Sequence, residues 1–358
     1  MLPETSPVQR HSTAAMRLDT LRHRLRTLGA NPAHELHVLR RWVQAKPQTA
    51  GRRRIENYLP QALRDALPAL TDELAGLARL QSEHPGADGS SRLLVALADG
   101  QTVEAVLLPP GGSAKKSHGL CVSTQVGCAV GCVFCKTGEG GLARQLGSAE
   151  IVAQVALARA RRAVDKVVFM GLGEPAHNLD NVLDAIELLG TAGGIGHKNL
   201  VFSTVGDARV FERLPQGTVK PALALSLHST FDARRAALLP RAPRITVAEL
   251  VAEGERYARA SGYPVQVQWT LIEGVNDGDD EVEGLVALLR GKHAILNMIP
   301  FNHVEGSPYR RPGVERSTAL FRTLNQRGVL TRLRQSAGQD VDAGCGQLRS
   351  RVIELRAA

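Results

Sequence analysis

From about Gly119 onward, short β-branched and apolar runs alternate with amphipathic helical stretches, and this alternation restricts the fold more than any other feature. The candidate strands are residues 120–124, 167–170, 200–204, 222–228, 265–271 and 294–301. Helical stretches at 151–160, 182–189, 247–260 and 282–289 separate them, and a further helix is predicted at 317–327. Thr246 and Glu249 form a capping box, with Ile245 and Leu250 placed as its hydrophobic staple. Gly328 follows the last helix as a left-handed terminator. Strands joined through helices run parallel with right-handed crossovers. The expected fold class is therefore α/β. Six units predict a partial (βα)6 TIM-like barrel whose functional loops lie beyond the carboxyl ends of the strands.

Residues 1–88 read as a small helical N-terminal domain. Met16, Leu18, Leu21, Leu25 and Leu28, then Leu36, Leu39, Trp42 and Val43, then Leu70, Leu74, Leu77 and Leu80, recur at helical spacing. Basic residues gather here: Arg40, Arg41, Lys46, Arg52, Arg53 and Arg54. Residues 82–91 are rich in turn formers and read as a linker. Residues 89–112 read as a β-hairpin extension. Asp99-Gly100 is its two-residue turn, with positive φ at both positions. The barrel then occupies 113–350.

The net charge of +9 raises the expectation of a polyanionic partner. Aromatic residues are only 4%, which argues against wide stacking platforms for single strands. No run approaches the roughly 18 apolar residues of a membrane span, and the first 30 residues, carrying Arg10, Arg17, Arg22, Arg24 and Arg26, lack the apolar centre of a secretory signal. A cytoplasmic chain with no membrane association is expected. In a reducing compartment, five cysteines favour metal or catalysis over structural disulfides.

Three of them form Cys128-x-x-x-Cys132-x-x-Cys135, directly after the first barrel strand. Three soft thiolates within eight residues can wrap one corner of a 4Fe–4S cube and leave the fourth iron open for a ligand. Gly127 and Gly131 let the backbone fold round it, and Phe134 can shield it from water. The alternatives are three unligated cysteines, or zinc with His118 or Cys121 as a fourth ligand, although this is not a usual zinc spacing.

This spacing resembles the signature of the radical S-adenosylmethionine superfamily. The segments LCVSTQVGCAVGCVFCKTG, FMGLGEPAHN, FSTVG, ALSLH, NMIPFN and DVDAGCGQL together resemble the RlmN/Cfr family of RNA adenine methyltransferases, over about Gly119 to Leu348. The resemblance implies methylation of carbon-2 or carbon-8 of an adenine in ribosomal RNA, transfer RNA or both. It implies one 4Fe–4S cluster on Cys128, Cys132 and Cys135, two S-adenosylmethionine molecules per turnover, a flavodoxin- or ferredoxin-type electron donor, and a monomer.

It also implies roles residue by residue. Gly173 and Glu174 resemble the pair that engages the cofactor amino group, while Ser203, Ser226, Leu227, His228 and Asn302 resemble cofactor contacts at strand ends. Cys345 resembles the cysteine that is methylated by ordinary displacement, loses a hydrogen to the radical, and adds its methylene to the ring. Such a route has a chemical reason: an electrophilic ring carbon cannot attack a sulfonium methyl, whereas a thiolate can. Cys121 resembles the thiol that releases the adduct through a transient disulfide, and Glu104 resembles the base that removes the ring proton.

Plainer readings stand beside these. A lone cysteine such as Cys345 is usually a small buried hydrophobe. Glu104 can be a solvated strand residue, His228 a satisfied core histidine, and Arg52–Arg54 a solvated face. Two other functions compete: a radical enzyme acting on a non-RNA substrate, which would need neither Cys345 nor Cys121, and a non-catalytic, metal-bound RNA-binding module. The N-terminal 88 residues, Lys136 and residues 139–142 depart from the family pattern, which leaves the RNA species and the ring carbon open.

Overall fold

The computed structural model describes residues 15–49, 54–110 and 118–349. Three helices come first: α1 (Leu18–Thr27), α2 (Pro32–Val43) and α3 (Gln61–Gly76). Strands β1 (Ala78–Pro85), β2 (Ser91–Leu97) and β3 (Thr102–Pro110) follow. The chain continues through β4 (His118–Cys121), β5 (Gln125–Gly127), β6 (Leu142–Gln145), α4 (Ser148–Arg159), β7 (Val164–Phe169), α5 (Leu179–Gly190), β8 (Leu200–Thr204) and α6 (Ala208–Arg213). It ends with β9 (Ala222–Ser226), α7 (Asp232–Leu238), α8 (Val247–Ser261), β10 (Val265–Leu271), α9 (Asp279–Leu289), β11 (Ala294–Pro300), α10 (Val314–Gln326) and β12 (Thr331–Leu333).

One sheet has the order β1-β2-β3-β4-β7-β8-β9-β10-β11-β12. Pairing is antiparallel from β1 to β4 and parallel from β4 to β12. Each parallel link crosses through at least one helix. The expected partial barrel is thus the centre of the molecule, extended by the short β12 on one edge and by β1–β3 on the other.

Side-chain alternation explains why the inside is hollow. On β10, Val265, Val267, Trp269 and Leu271 are buried in the core under the helices. Gln266, Gln268 and Thr270 alternate with them and line the inner cavities. β8 and β9 repeat the pattern: Phe202, Leu223 and Leu225 face the helices, while Val201, Ala222 and Ala224 form a small inner cluster. Small and polar side chains on the inner face leave room for ligands.

Three local expectations change. Leu80 lies on β1, not on a helix, because pairing of Ala78 with Leu97 and of Arg79 with Ala96 overrides the helical period. Residues 82–91 are not a linker but the end of β1, a tight turn and the start of β2, with Gly86 N donating to Ser90 O at 2.9 Å. At the β2–β3 turn only Gly100 has positive φ (+83°). Gly100 N donates to Leu97 O at 3.1 Å and Leu97 N to Gln101 O at 2.8 Å, the longer hairpin loop that ends in a left-handed glycine. The capping box stands: Glu249 N donates to Thr246 Oγ1 at 3.2 Å, and Thr246 N to Glu249 Oε2 at 3.1 Å. Gly328 has φ +84° after α10.

The N-terminal helices share the barrel's core. Leu18, Leu21, Leu25, Val38, Leu63 and Leu70 belong to one apolar cluster with Val152 and Val155 of α4 and Leu200 of β8. Arg159 ties the layers, donating to Val43 O at 3.1 Å and to Gly193 O at 2.9 Å. Arg52 and Arg53 lie outside the described residues. Among the described residues no helix is long and apolar enough to cross a membrane.

A shared core predicts shared unfolding. Leu63→Ala should cost about 2–5 kcal/mol. Urea titration followed by circular dichroism should show one transition shifted as a whole; a separate early transition would show that the helices unfold alone.

Candidate active site

The cysteine loop is closed at its base by β5 and β6, which pair as a two-stranded ribbon. This gives residues 139–142, which depart from the family pattern, a structural task. Cys128 N donates to Gly141 O at 2.8 Å, and a Cβ on Gly127 (φ +79°) would run into that same carbonyl. Gly131 has a left-handed backbone (φ +66°), which favours glycine, and packs against the Arg241 guanidinium. Val133 N donates to Leu238 O at 3.1 Å, and Arg241 N to Val130 O at 3.3 Å, which fixes the loop to the barrel rim.

Cys128, Cys132 and Cys135 line one cavity of about 160 Å³ together with Gly173, Glu174, Ser203, Ser226, His228 and Cys345. Cys121 is not among them, and His118 Nδ1 meets Leu108 O at 2.9 Å, so neither expected fourth zinc ligand joins the trio. Among the described residues, no three His, Cys, Asp or Glu side chains converge closely enough for a single ion. Thiols spread round one cavity fit the corners of a larger cluster. Burial raises the Cys128 thiol to about 11 and pushes Cys132 and Cys135 up as well, and the three thiolates repel one another. A positive iron centre would offset both penalties.

The opposite wall comes from strand ends. Gly173 (φ +103°) presses against Gln125, whose Oε1 accepts from Glu174 N at 2.7 Å. Glu174 is buried, and its carboxylate accepts from Ala176 N and Val205 N, each at 3.1 Å. Burial raises its carboxyl pKa to about 7. His228 holds a left-handed backbone (φ +63°), pinned by Asn276 Nδ2 donating to its carbonyl at 2.7 Å. Its Nδ1 accepts from Thr270 N at 2.9 Å, and its ring stands edge-on to Phe134 at 4.9 Å. Burial, aided by Arg235, lowers its pKa to about 3, so the ring is neutral. Leu227 does not face this cavity; its side chain lies in the main core and its N donates to Gln268 O at 3.1 Å.

Cys345 sits on an irregular loop fixed from several sides. Asn302 Nδ2 donates to Cys345 O at 2.9 Å and to Ser336 Oγ at 2.8 Å. Lys136 N, next to the last loop cysteine, donates to Gly346 O at 2.7 Å, and Thr137 Oγ1 to Leu348 O at 2.6 Å. Asp88 and Asp340 clasp the β1–β2 turn to the same loop: Gly338 N donates to Asp88 at 3.0 Å and Ala87 N to Asp340 at 2.9 Å. Asn302 itself lines neither inner cavity; it acts on Cys345 through the backbone.

A second cavity, about 560 Å³, adjoins the first and shares Cys135, Met170, Gln268, Cys345 and Gly346 with it. Cys121 lines only this second one. Both thiols are free. Burial and the charge of Cys345 raise the Cys121 pKa. Cys345 is exposed to the cavities, yet the protein packed round its sulfur raises its thiol pKa, opposed by a Ser336 hydrogen bond and by Arg334.

Glu104 is fully buried on β3 and lines neither cavity. Its Oε1 accepts from Arg92 at 2.6 Å, and its Oε2 from Arg349 N at 3.0 Å. Val106, two residues on and so on the same face of β3, does line the second cavity. Sequence reading missed Arg92, Asp88 and Asn276, whose partners lie 12, 250 and 48 residues away. It also missed the inner-face polar residues, although the strict alternation of 265–271 marked them in a strand otherwise buried on both faces.

The profile of the Radical SAM superfamily matches residues 122–289. A protein of Methylibium petroleiphilum named "Probable RNA methyltransferase" is 70% identical, with 94% of each chain covered. One of the same name from Leptothrix cholodnii is 68% identical, covering 94% of this chain and 95% of the relative. The crystal structure of a radical SAM methyltransferase from Sphaerobacter thermophilus matches with a TM-score of 0.78 at 34% identity, covering 94% of this chain and 98% of that one.

Two stability effects follow. Arg92→Leu strands the Glu104 carboxylate in the interior and should cost about 3–5 kcal/mol in urea unfolding. Adding Glu104→Leu should recover part of that loss; no recovery would show that the pair contributes only packing. Because the His228 pKa is lower folded than unfolded, the unfolded chain binds more protons on acidification. Stability should therefore fall as pH drops from about 6.5 toward 3. In His228→Asn, which tolerates positive φ, that part of the slope should vanish; an unchanged slope would assign it elsewhere.

Proposed function

The chain belongs to the radical SAM superfamily, and on that premise we propose that it methylates an adenine ring carbon, carbon-2 or carbon-8, in ribosomal or transfer RNA through a methyl group carried on Cys345. The observation that carries this reading is the placement of Cys345 where two cavities meet, with the Cys128–Cys132–Cys135 loop on one side and Cys121 on the other.

Cys128, Cys132 and Cys135 would hold one 4Fe–4S cluster, with one iron free of protein thiolate. When bound, the cluster supplies the electron that cleaves a chelated S-adenosylmethionine to methionine and a 5′-deoxyadenosyl radical. Glu174, beside the closely packed Gly173, offers carboxylate lone pairs to the cofactor ammonium. Ser203 and Ser226 offer hydroxyls at neighbouring strand ends, and neutral His228 adds no positive charge beside a sulfonium. Leu227 and Asn302 support the site indirectly, the first through strand packing and the second through the Cys345 carbonyl.

The remaining chemistry belongs to the chain's own thiols. The Cys345 thiolate takes a methyl group from a first S-adenosylmethionine, and S-adenosylhomocysteine leaves. Loss of one hydrogen atom to the radical formed from a second leaves a methylene radical on sulfur, which adds to the ring carbon. Restoring the aromatic ring then releases one electron, which the oxidised cluster would take back, and one proton, for which Glu104 is the proposed acceptor; Glu104 shares a face of β3 with the cavity-lining Val106. Cys121 then attacks the Cys345 sulfur. The new S–S bond replaces the S–C bond, and the released carbon gains a proton. A reductant, with a flavodoxin or ferredoxin as the electron source, resets the pair. The target base must be unstacked to reach this depth.

The test is mass spectrometry of ribosomal and transfer RNA nucleosides from cells expressing the wild type, Cys345→Ala or Cys121→Ala in a gene-deleted background. One methyladenosine should return with the wild type and not with Cys345→Ala. Cys121→Ala should accumulate chain covalently bound to RNA. A methyladenosine restored by Cys345→Ala would overturn the proposal.

A further inference from the structure

Past the two cysteines, the larger cavity becomes cationic. Lys166 and Val168 share one side of β7, Met170 directly follows the strand, and all three line the cavity. Arg334, which follows β12, lines it too. β7 and β12 are separated in the sheet by β8, β9, β10 and β11, so the curl of the barrel brings the two cations to one space.

We propose that Lys166 and Arg334 form an anion site that grips the phosphate of the nucleotide whose base reaches Cys121 and Cys345. The inference rests on the adenine-nucleotide reading above and adds the group by which that nucleotide is held.

Three observations support it. First, no acid pairs directly with either cation. Among the described residues neither Lys166 nor Arg334 makes an ion pair within 4.0 Å. Asp165 is exposed, and Asp88, which lines the same cavity, spends both oxygens on the turn clasp: Ser90 N at 3.0 Å, Ser90 Oγ at 2.5 Å and Gly338 N at 3.0 Å. Second, the proximity is costly. Burial lowers the Lys166 pKa, and the charges of Arg334 and Arg332 lower it further, against a weaker pull from Asp165. Like charges held together in a partly desolvated site are relieved by a bound anion. Third, Arg334 is aimed. Its Nε donates to Asn297 Oδ1 at 2.9 Å, which orients the guanidinium and leaves its terminal nitrogens available for a forked contact with phosphate. Stabilising the Cys345 thiolate needs only Arg334 and leaves Lys166 unexplained. The cavity, about 560 Å³, has the size of a nucleotide site, and Gln266, Gln268 and Asn297 supply amides for the sugar or base.

The probes are adenosine, adenosine 5′-monophosphate and uridine 5′-monophosphate, titrated calorimetrically into the full chain carrying its reconstituted cluster. Adenosine 5′-monophosphate should bind at least about tenfold more tightly than adenosine. Lys166→Met and Arg334→Met should each remove most of that ratio, while Lys166→Arg should keep most of it. The ratio is read within each protein, so a general folding defect does not mimic the effect. A ratio near one in the wild type, an unchanged ratio in both methionine variants, or no binding of any probe overturns the anion site. Uridine 5′-monophosphate binding as tightly as adenosine 5′-monophosphate, with the ratio still sensitive to Lys166, upholds the site and removes the adenine reading. Adenosine and adenosine 5′-monophosphate binding equally well, and both better than uridine 5′-monophosphate, does the reverse.

Discussion

A loop with only a few short-range backbone hydrogen bonds of its own must be held by its neighbours, and the loop that carries Cys345 is held by contributions from distant parts of the chain. Asn302 after β11, Lys136 and Thr137 after the cysteine trio, Asp88 in the β1–β2 turn and Glu104 on β3 each take one of its backbone groups. The thiol thereby stands at the junction of two cavities. Were the loop to swing free, the three-cysteine site and Cys121 would lose the sulfur that joins them. The antiparallel extension β1–β3 therefore does more than cover a sheet edge: two of these anchors come from it.

Electrostatics divides the interior. Near the cysteine trio, burial penalises thiolates and the Glu174 carboxylate alike, a penalty that a positive centre would offset. Farther in, the sign reverses and cations face one another. The boundary runs past Cys345, whose thiolate is disfavoured by burial and by Cys135 but favoured by Arg334. On the proposed route Cys345 is a nucleophile at one moment and a radical carrier at another, and it sits where the two regions meet.

Much of this was legible in the sequence. Strand–helix alternation specified the barrel, and the strands at 200–204 and 265–271 begin and end where they were expected, because each is bounded by turn residues and carries a clear apolar face. The cysteine trio was legible in its local spacing, whereas Gly173, Glu174, Ser203, Ser226 and His228 were expected from the family resemblance; all of them line one cavity. Leu80 was misread because four leucines at helical spacing continue by coincidence into a strand, whose state is decided by pairing with β2. Glu104 was located without Arg92, Cys345 without Asp88, and the cavity without Lys166 and Arg334. In each case the missing partner is distant in sequence and is brought close only by the closing of the sheet.

The relay through Cys345 is tested most directly by isotope. Turnover with S-adenosylmethionine bearing a fully deuterated methyl group, followed by mass spectrometry of the RNA nucleosides and of 5′-deoxyadenosine, traces each hydrogen. The account predicts a product methyl that keeps two deuterium atoms, with the third recovered in 5′-deoxyadenosine. A product methyl that keeps all three, with none in 5′-deoxyadenosine, would mean direct transfer and would contradict it.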